Sequence, residues 1–314
     1  MENNEQQNIL AKEAILNKIP EVFSALPTSE ILEIAKDIQL KLKTDQTLAE
    51  KKKGEDEWGW VTKADTEIQK LILDYFANSP VQGSYKTVAE EDFIEEKSDS
   101  KPVWKLIVDP LDGTSEFRKG GERWGVMVGA CDENGALVYS WNLLSTGEIY
   151  ESNDLGKNSL PKSFSEKINS GKKLAIDVYD YGRDGTQERF LELFQKTFNL
   201  ANYTCDQTSY PSAVWAGGQL ASGKLDGLLW LPSELGKKWY PDYDLIFLGA
   251  LSRQGLKVRL GKIDENNGMV AIAPNDEDVE KLYEVGLSML SEEQKAVLVK
   301  APNGLKITKP LLDN

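Results

Sequence analysis

Two aspartates three positions apart, Asp109 and Asp112, follow the apolar run Leu106-Ile107-Val108 and directly precede Gly113-Thr114. The run shows no alternation and suits a short buried strand. That strand is expected to stop at Asp109-Pro110, because proline cannot continue a ladder. The two carboxylates, with the Leu111 carbonyl between them, offer only oxygen donors. Such a set suits Mg²⁺, with Mn²⁺ as the second candidate, and does not suit zinc. If Gly113 and Thr114 open a helix, their N–H groups face an anion. One stretch would then serve both a cation and a phosphate. The plainer alternative is a solvated turn, since Asp, Pro and Gly are ordinary turn residues.

The totals narrow the chemistry further. The chain of 314 residues contains no histidine. This excludes Ser-His-Asp and Cys-His triads, His-zinc sites and histidine phosphotransfer. Any hydrolysis must run on carboxylates, hydroxyls and metal. A formal net charge of −14 argues against nucleic acid or an anionic membrane as a main partner. Bound divalent cations would reverse the local sign for an anionic substrate. No apolar run is long enough for a transmembrane helix, and Met1–Gln7 has no secretory-signal pattern. Cys131 and Cys205 are the only cysteines. Reduced thiols and a cytoplasmic location are the simplest expectation.

Several elements must position these groups. Residues 8–19 and 28–44 have helical patterning, with Ile31, Ile34, Ile38 and Leu42 on one face and Ser29 as a candidate cap. Residues 45–61 are a charged stretch, expected to be a solvated loop or, alternatively, a mobile flap. After Val61-Thr62-Lys63-Ala64-Asp65 comes a helix with Ile68, Leu71, Ile72, Tyr75 and Phe76 inward. Taken alone, Asp65 is a good N-cap. Lys86–Ala89 reads as a strand running into Glu90-Glu91-Asp92, and residues 94–103 as a flexible connection. Strands over 125–131, 137–142 and 148–151 form an antiparallel meander, with Asn134-Gly135 as a hairpin turn. The chain turns polar near residue 152, which divides it into an α+β half, 1–152, and an α/β half, 153–314. The second half alternates strands at 173–178, 225–231, 257–260 and 269–272 with helices at 187–200, 212–222, 245–251 and 278–290. The tail 299–314 reads as irregular.

Asp109-Pro110-Leu111-Asp112-Gly113-Thr114 resembles the signature of the inositol monophosphatase superfamily, the Mg²⁺-dependent, lithium-sensitive phosphomonoesterases. Ser115-Glu116-Phe117 resembles its bisphosphate-nucleotidase branch more than the inositol branch, which tends to have Asn-Phe there. The resemblance spans roughly residues 45–260 and implies a layered αβαβα sandwich holding two or three Mg²⁺ ions, with Mn²⁺ as a substitute. It implies that Glu90, Asp109 and the Leu111 carbonyl hold one ion and that Asp109, Asp112 and Asp244 hold a second. Asp65 would pair with the Thr114 hydroxyl to orient the attacking water, which Glu90 also polarises. Gly113, Thr114, Ser212 and Ala213 would lie on the substrate side, although close packing is the plainer reading of Ser212-Ala213. Asp244 follows Tyr243 where the family has Trp-Asp. Ile246 and Phe247 replace the family's alanines, and Leu256 its second glycine. Asp242 is the runner-up, and helix capping is the plain alternative for either. The resemblance implies a phosphomonoesterase acting on a nucleotide such as 3′-phosphoadenosine 5′-phosphate, with a homodimer as the candidate assembly. The alternatives are an inositol or sugar phosphate, or a degenerate member that binds metal or a phospho-ligand without hydrolysis.

Overall fold

The structure is a computed structural model and describes residues 10–51, 60–91, 102–132, 137–152, 167, 173–179, 186–205, 212–231, 246–247, 251, 255–264, 267–297 and 299–300. The chain separates into two compact units, one containing Met1–Asn153 and the other Asp154–Lys306.

In the first unit, residues 10–16 are helical and a second helix, α1 (Ile19–Ser24), begins directly afterwards. The single helix expected over 8–19 is thus broken ahead of Pro20, which sits in the first turn of α1 where a missing N–H costs nothing. Helix α2 (Thr28–Leu42) buries Ile31, Ala35, Ile38 and Leu42. Ser29 does not cap it: the cap position is Pro27, so Ser29 lies inside the first turn. The charged stretch is not all loop. Strand β1 (Ala49–Lys51) pairs antiparallel with β2 (Trp60–Thr62), Ala49 opposite Thr62 and Lys51 opposite Trp60. Helix α3 (Lys63–Ala77) follows and buries Ala64, Asp65, Ile68, Gln69, Ile72 and Phe76.

A five-stranded sheet comes next, built from β3 (Tyr85–Ala89), β4 (Trp104–Asp112), β5 (Gly125–Asp132), β6 (Leu137–Leu144) and β7 (Ile149–Glu151), with helix α4 (Thr114–Arg118) between β4 and β5. β3 runs parallel to β4, and the remaining pairs are antiparallel. Contrary to the expectation from Pro110, β4 continues to Asp112. Its pairing with β5 jumps from Asp109–Met127 to Asp112–Gly125. Pro110 sits in this bulge, where no ladder donor is required of it. The core between sheet and helices is aromatic. Phe23, Phe76, Tyr85, Trp104 and Tyr139 pack with neighbouring ring centroids 5.0–6.3 Å apart. The Trp104 Nε1–H, buried among them, is satisfied by Ser84 Oγ at 3.0 Å.

The second unit carries β8 (Leu174–Tyr179), α5 (Thr186–Thr197), β9 (Tyr203–Cys205), α6 (Ala213–Ala221), β10 (Gly227–Trp230), β11 (Lys257–Asp264), β12 (Asn267–Ala273), α7 (Asp276–Met289), α8 (Glu292–Val297) and β13 (Val299–Lys300). Its six strands are ordered β13-β11-β12-β10-β8-β9, with β8 parallel to both β9 and β10. β9, β13 and α8 are absent from the sequence expectation; elements this short carry no readable periodicity. Of the apolar helix expected at 245–251, only 246, 247 and 251 fall within the described residues.

α6 shows why its residues are small. A Cβ placed on Gly217 would stand 2.6 Å from Phe247 Cδ2, and the Phe247 ring stacks on Trp230 with centroids 5.8 Å apart. A stacked ring cannot swing away. Gly217→Ala should therefore destabilise by about 1–2 kcal/mol, the overpacking cost exceeding the helix propensity that alanine adds. A lower urea midpoint measures this. No helix among the described residues is long and apolar enough to cross a membrane.

Candidate active site

Glu90, Asp109 and Asp112 lie where β3 and β4 end side by side. The parallel register runs to Ala89 opposite Val108, and the Glu90 N–H donates to the Val108 carbonyl at 3.1 Å. This carries the ladder one residue further and places Glu90 beside Asp109, on strands about 4.8 Å apart. Asp109 is only 3% exposed. Its Oδ1 accepts the Leu111 N–H at 3.1 Å, tying the bulge together. Glu90, Asp112 and Gly113 are half-buried. Gly113 closes the turn with φ +89°, a left-handed conformation that favours glycine, and α4 starts at Thr114. With only five residues, α4 is too short to add much of a dipole.

Thr114 Oγ1 lies 3.2 Å from Asp65 Oδ1 and 2.9 Å from the Leu111 carbonyl oxygen. The hydroxyl proton is shared between these two acceptors. Asp65 is not the cap of α3. Thr62 is the cap: its Oγ1 accepts the Ala64 N–H at 3.2 Å. Asp65 is the third helical residue and closes a capping box, its Oδ2 accepting the Thr62 N–H at 2.7 Å and the Thr62 hydroxyl at 2.5 Å. The Thr-x-x-Asp spacing is the sequence signal for this arrangement.

Asp65 is completely buried. Burial pushes its carboxyl up to about 8; the Thr62 hydroxyl pulls it down, and the charges of Glu91 and Glu90 push it up again. An unfolded aspartate titrates near pH ~4. Between about pH 4 and 8 the folded state therefore keeps a proton that the unfolded state has lost. Stability in chelator should fall as pH rises through that window, and Asp65→Asn should flatten the fall. Urea midpoints across a pH series measure both slopes.

Three further contacts brace this region and lack a local sequence signal. Gln39 of α2 donates from Nε2 to the Phe117 carbonyl at 3.1 Å and the Gly121 carbonyl at 2.7 Å, closing the end of α4. Arg123 Nε donates to Glu116 Oε1 at 3.1 Å. The Arg118 guanidinium lies 3.9 Å from the centroid of the Trp60 ring.

In the second unit, Ser212 caps α6, its Oγ accepting the Trp215 N–H at 3.2 Å, and both Ser212 and Ala213 are fully buried. Their burial is what the close-packing reading of the pair expects. Asp242 and Asp244 lie outside the described residues. Among the described residues no three acidic or cysteine side chains are gathered closely enough to hold a metal ion. The first unit supplies part of a donor set: Glu90, Asp109 and Asp112, with the Leu111 carbonyl, all oxygen and partly withdrawn from water. That chemistry fits a hard divalent cation. The upward push of Glu90 and Glu91 on Asp65 shows the negative field that such a cation would meet.

Solved structures share this fold. An extragenic suppressor protein suhB from Bartonella henselae superposes with a TM-score of 0.58 at 15% identity, covering 88% of this chain and all of that one. A staphylococcal inositol monophosphatase-1, soaked in LiCl as an inhibitory complex, gives 0.57 at 16% identity, over 85% of this chain and 94% of that one. An IMPase/NADP phosphatase complexed with Mg²⁺ and phosphate gives 0.54 at 16% identity, over 85% and 95%. No curated protein matches the chain by sequence. The profile of one family matches residues 21–233, more than half of the chain and the stretch that contains every element of the first-unit site, so the protein belongs to the inositol monophosphatase family.

Proposed function

We propose that the protein is a metal-dependent phosphomonoesterase acting on a small phosphorylated metabolite. The residues that would hold two or three Mg²⁺ or Mn²⁺ ions are Glu90, Asp109, the Leu111 carbonyl, Asp112 and Asp244. The observation that carries the reading is the hydrogen bond from Thr114 Oγ1 to Asp65 Oδ1, which joins residues 49 positions apart at the end of β4. The geometry supports a proton path. Thr114 Oγ1 takes a proton from the attacking water and passes its own to Asp65 Oδ1, as the water oxygen bonds to phosphorus and the ester P–O bond breaks. Asp65 takes that proton only when ionised: burial raises its carboxyl to about 8 without a cation, and the positive charge of bound divalent ions would draw it down again. Glu90, next to Asp109, helps to orient the water. Bound divalent ions supply positive charge for the phosphoryl and leaving oxygens.

A nucleotide bisphosphate such as 3′-phosphoadenosine 5′-phosphate is the first substrate to test, from the Ser115-Glu116-Phe117 variant. Those side chains are also used internally: Glu116 pairs with Arg123, and Phe117 packs edge-on against Trp124 at 5.2 Å. This favours keeping an inositol or sugar phosphate as the second reading. Phosphate release from each substrate with Mg²⁺, repeated in chelator and with Li⁺, tests both. Hydrolysis of at least one substrate, lost in chelator and inhibited by Li⁺, is expected. No release from any of them would leave a family member that binds without hydrolysing.

A further inference from the structure

Helix α3 does two jobs on one face. Asp65 and Gln69 are four residues apart, hence one above the other. Asp65 reaches the residue after the β4 turn. Gln69, 6% exposed, reaches the end of β3 instead: its Oε1 accepts the Glu91 N–H at 3.2 Å. The sheet order explains why such a bond is needed there. Among the described residues β3 is an edge strand, with β4 on one side only. The Glu90 N–H points to β4 and bonds Val108. Successive N–H groups along an extended backbone point to opposite sides, so the Glu91 N–H points away from β4, to the side where no further strand lies among the described residues. A buried glutamine on α3 supplies an acceptor there. With one N–H held on each side, the backbone at Glu90 is restrained at the position that the strand register sets beside Asp109.

We propose that Gln69 is a positioning residue for the cation site: it fixes the Glu90–Glu91 backbone so that Glu90 and Asp109 meet one ion. The inference rests on the reading that Glu90 and Asp109 are cation ligands, but it does not require that the protein hydrolyse anything. Metal-ligand supports of this kind typically govern affinity by 10–100-fold.

The test is Mn²⁺ binding to the full chain, followed by titration calorimetry, for wild type, Gln69→Met and Gln69→Glu. Methionine keeps the length and removes the acceptor; glutamate keeps an acceptor oxygen. Expected is a loss of roughly 10-fold or more in Mn²⁺ affinity for Gln69→Met, with glutamate restoring most of it. The melting temperature of Gln69→Met in chelator should stay within a few degrees of wild type, which a purely structural role would not allow together with the affinity loss. A Gln69→Met protein that binds Mn²⁺ as wild type does, or an equal loss in both variants, would overturn the proposal. Hydrogen exchange at the Glu91 amide of the wild type gives a second reading if Gln69→Met does not fold. Slow exchange supports the bond and exchange at the open-chain rate overturns it. Wild type that binds no Mn²⁺ overturns both this inference and the ligand assignment beneath it. Wild type that binds Mn²⁺ with the expected Gln69 dependence but releases no phosphate supports this inference and removes only the hydrolytic reading.

Discussion

Replacing Asp109 with asparagine is expected to cut phosphate release at saturating Mg²⁺ by on the order of 10²–10³-fold or more, the scale lost when a preorganised charge stabiliser is removed. Asp109 is the residue assigned to both ion positions, so a single change weakens both. The fold should survive. The asparagine carbonyl oxygen can still accept the Leu111 N–H that Asp109 Oδ1 now accepts, so the bulge keeps its tie. The substitution also removes a negative charge from a nearly buried position, which relieves repulsion in the absence of metal. Turnover and Mg²⁺ dependence, with circular dichroism as the control for folding, decide the matter. Near-normal turnover in a folded, homogeneous Asp109→Asn sample would remove the metal assignment altogether.

Asp226→Ala should have the largest effect on stability, on the order of 3–5 kcal/mol. Asp226 is completely buried at the start of β10. Its Oδ2 accepts the Ala175 N–H at 2.7 Å, and Lys167 Nζ approaches both oxygens at 3.0 and 3.2 Å. Its own N–H donates to the Ala175 carbonyl at 2.7 Å, so Asp226 stitches β10 to β8 from both ends of one residue. Burial pushes its carboxyl up, while the Ala175 N–H and Lys167 hold it down. Alanine would leave the Lys167 ammonium without its carboxylate and the Ala175 N–H without an acceptor. Asp226→Asn should cost less, because one oxygen remains for Ala175. A fall in the denaturant midpoint, larger for alanine than for asparagine, is the expected measurement. Equal midpoints for alanine and wild type would mean that the pair contributes nothing.

The motif around Asp109 was legible because its residues are chemically unusual and adjacent in the chain. α3 was legible because Ile68, Ile72 and Phe76 repeat at helical spacing, and the β5–β6 hairpin because of Asn134-Gly135. Where the reading failed, the deciding partner lay elsewhere in the chain. Pro110 looks like a strand terminator until β5 is there to pair on both sides of it. The charge run looks like loop because Ala49–Lys51 and Trp60–Thr62 become strands only by pairing with each other. Asp65 satisfies the local rule for a cap, yet the extended residue Thr62 takes that place, and Asp65, at the third helical position, closes the capping box and reaches Thr114. Gln39 and Gln69 carry no local signal at all. A surface glutamine and a bracing glutamine have identical neighbours in sequence, and only the fold tells them apart. Asp244 stays an expectation from the resemblance, since its segment lies outside the described residues.

The irregularity around Pro110 also settles which way two side chains point. In an unbroken strand, residues three apart project from opposite surfaces of the sheet. Here β4 takes one more step than β5 between the pairs Asp109–Met127 and Asp112–Gly125, and Met127 and Gly125, two apart, share a surface. The surplus residue thus reverses the parity and turns both aspartates to the same side. Had β4 paired residue for residue with β5 across this stretch, one of the two carboxylates would face away from the other, and the pair would offer no common side to an ion.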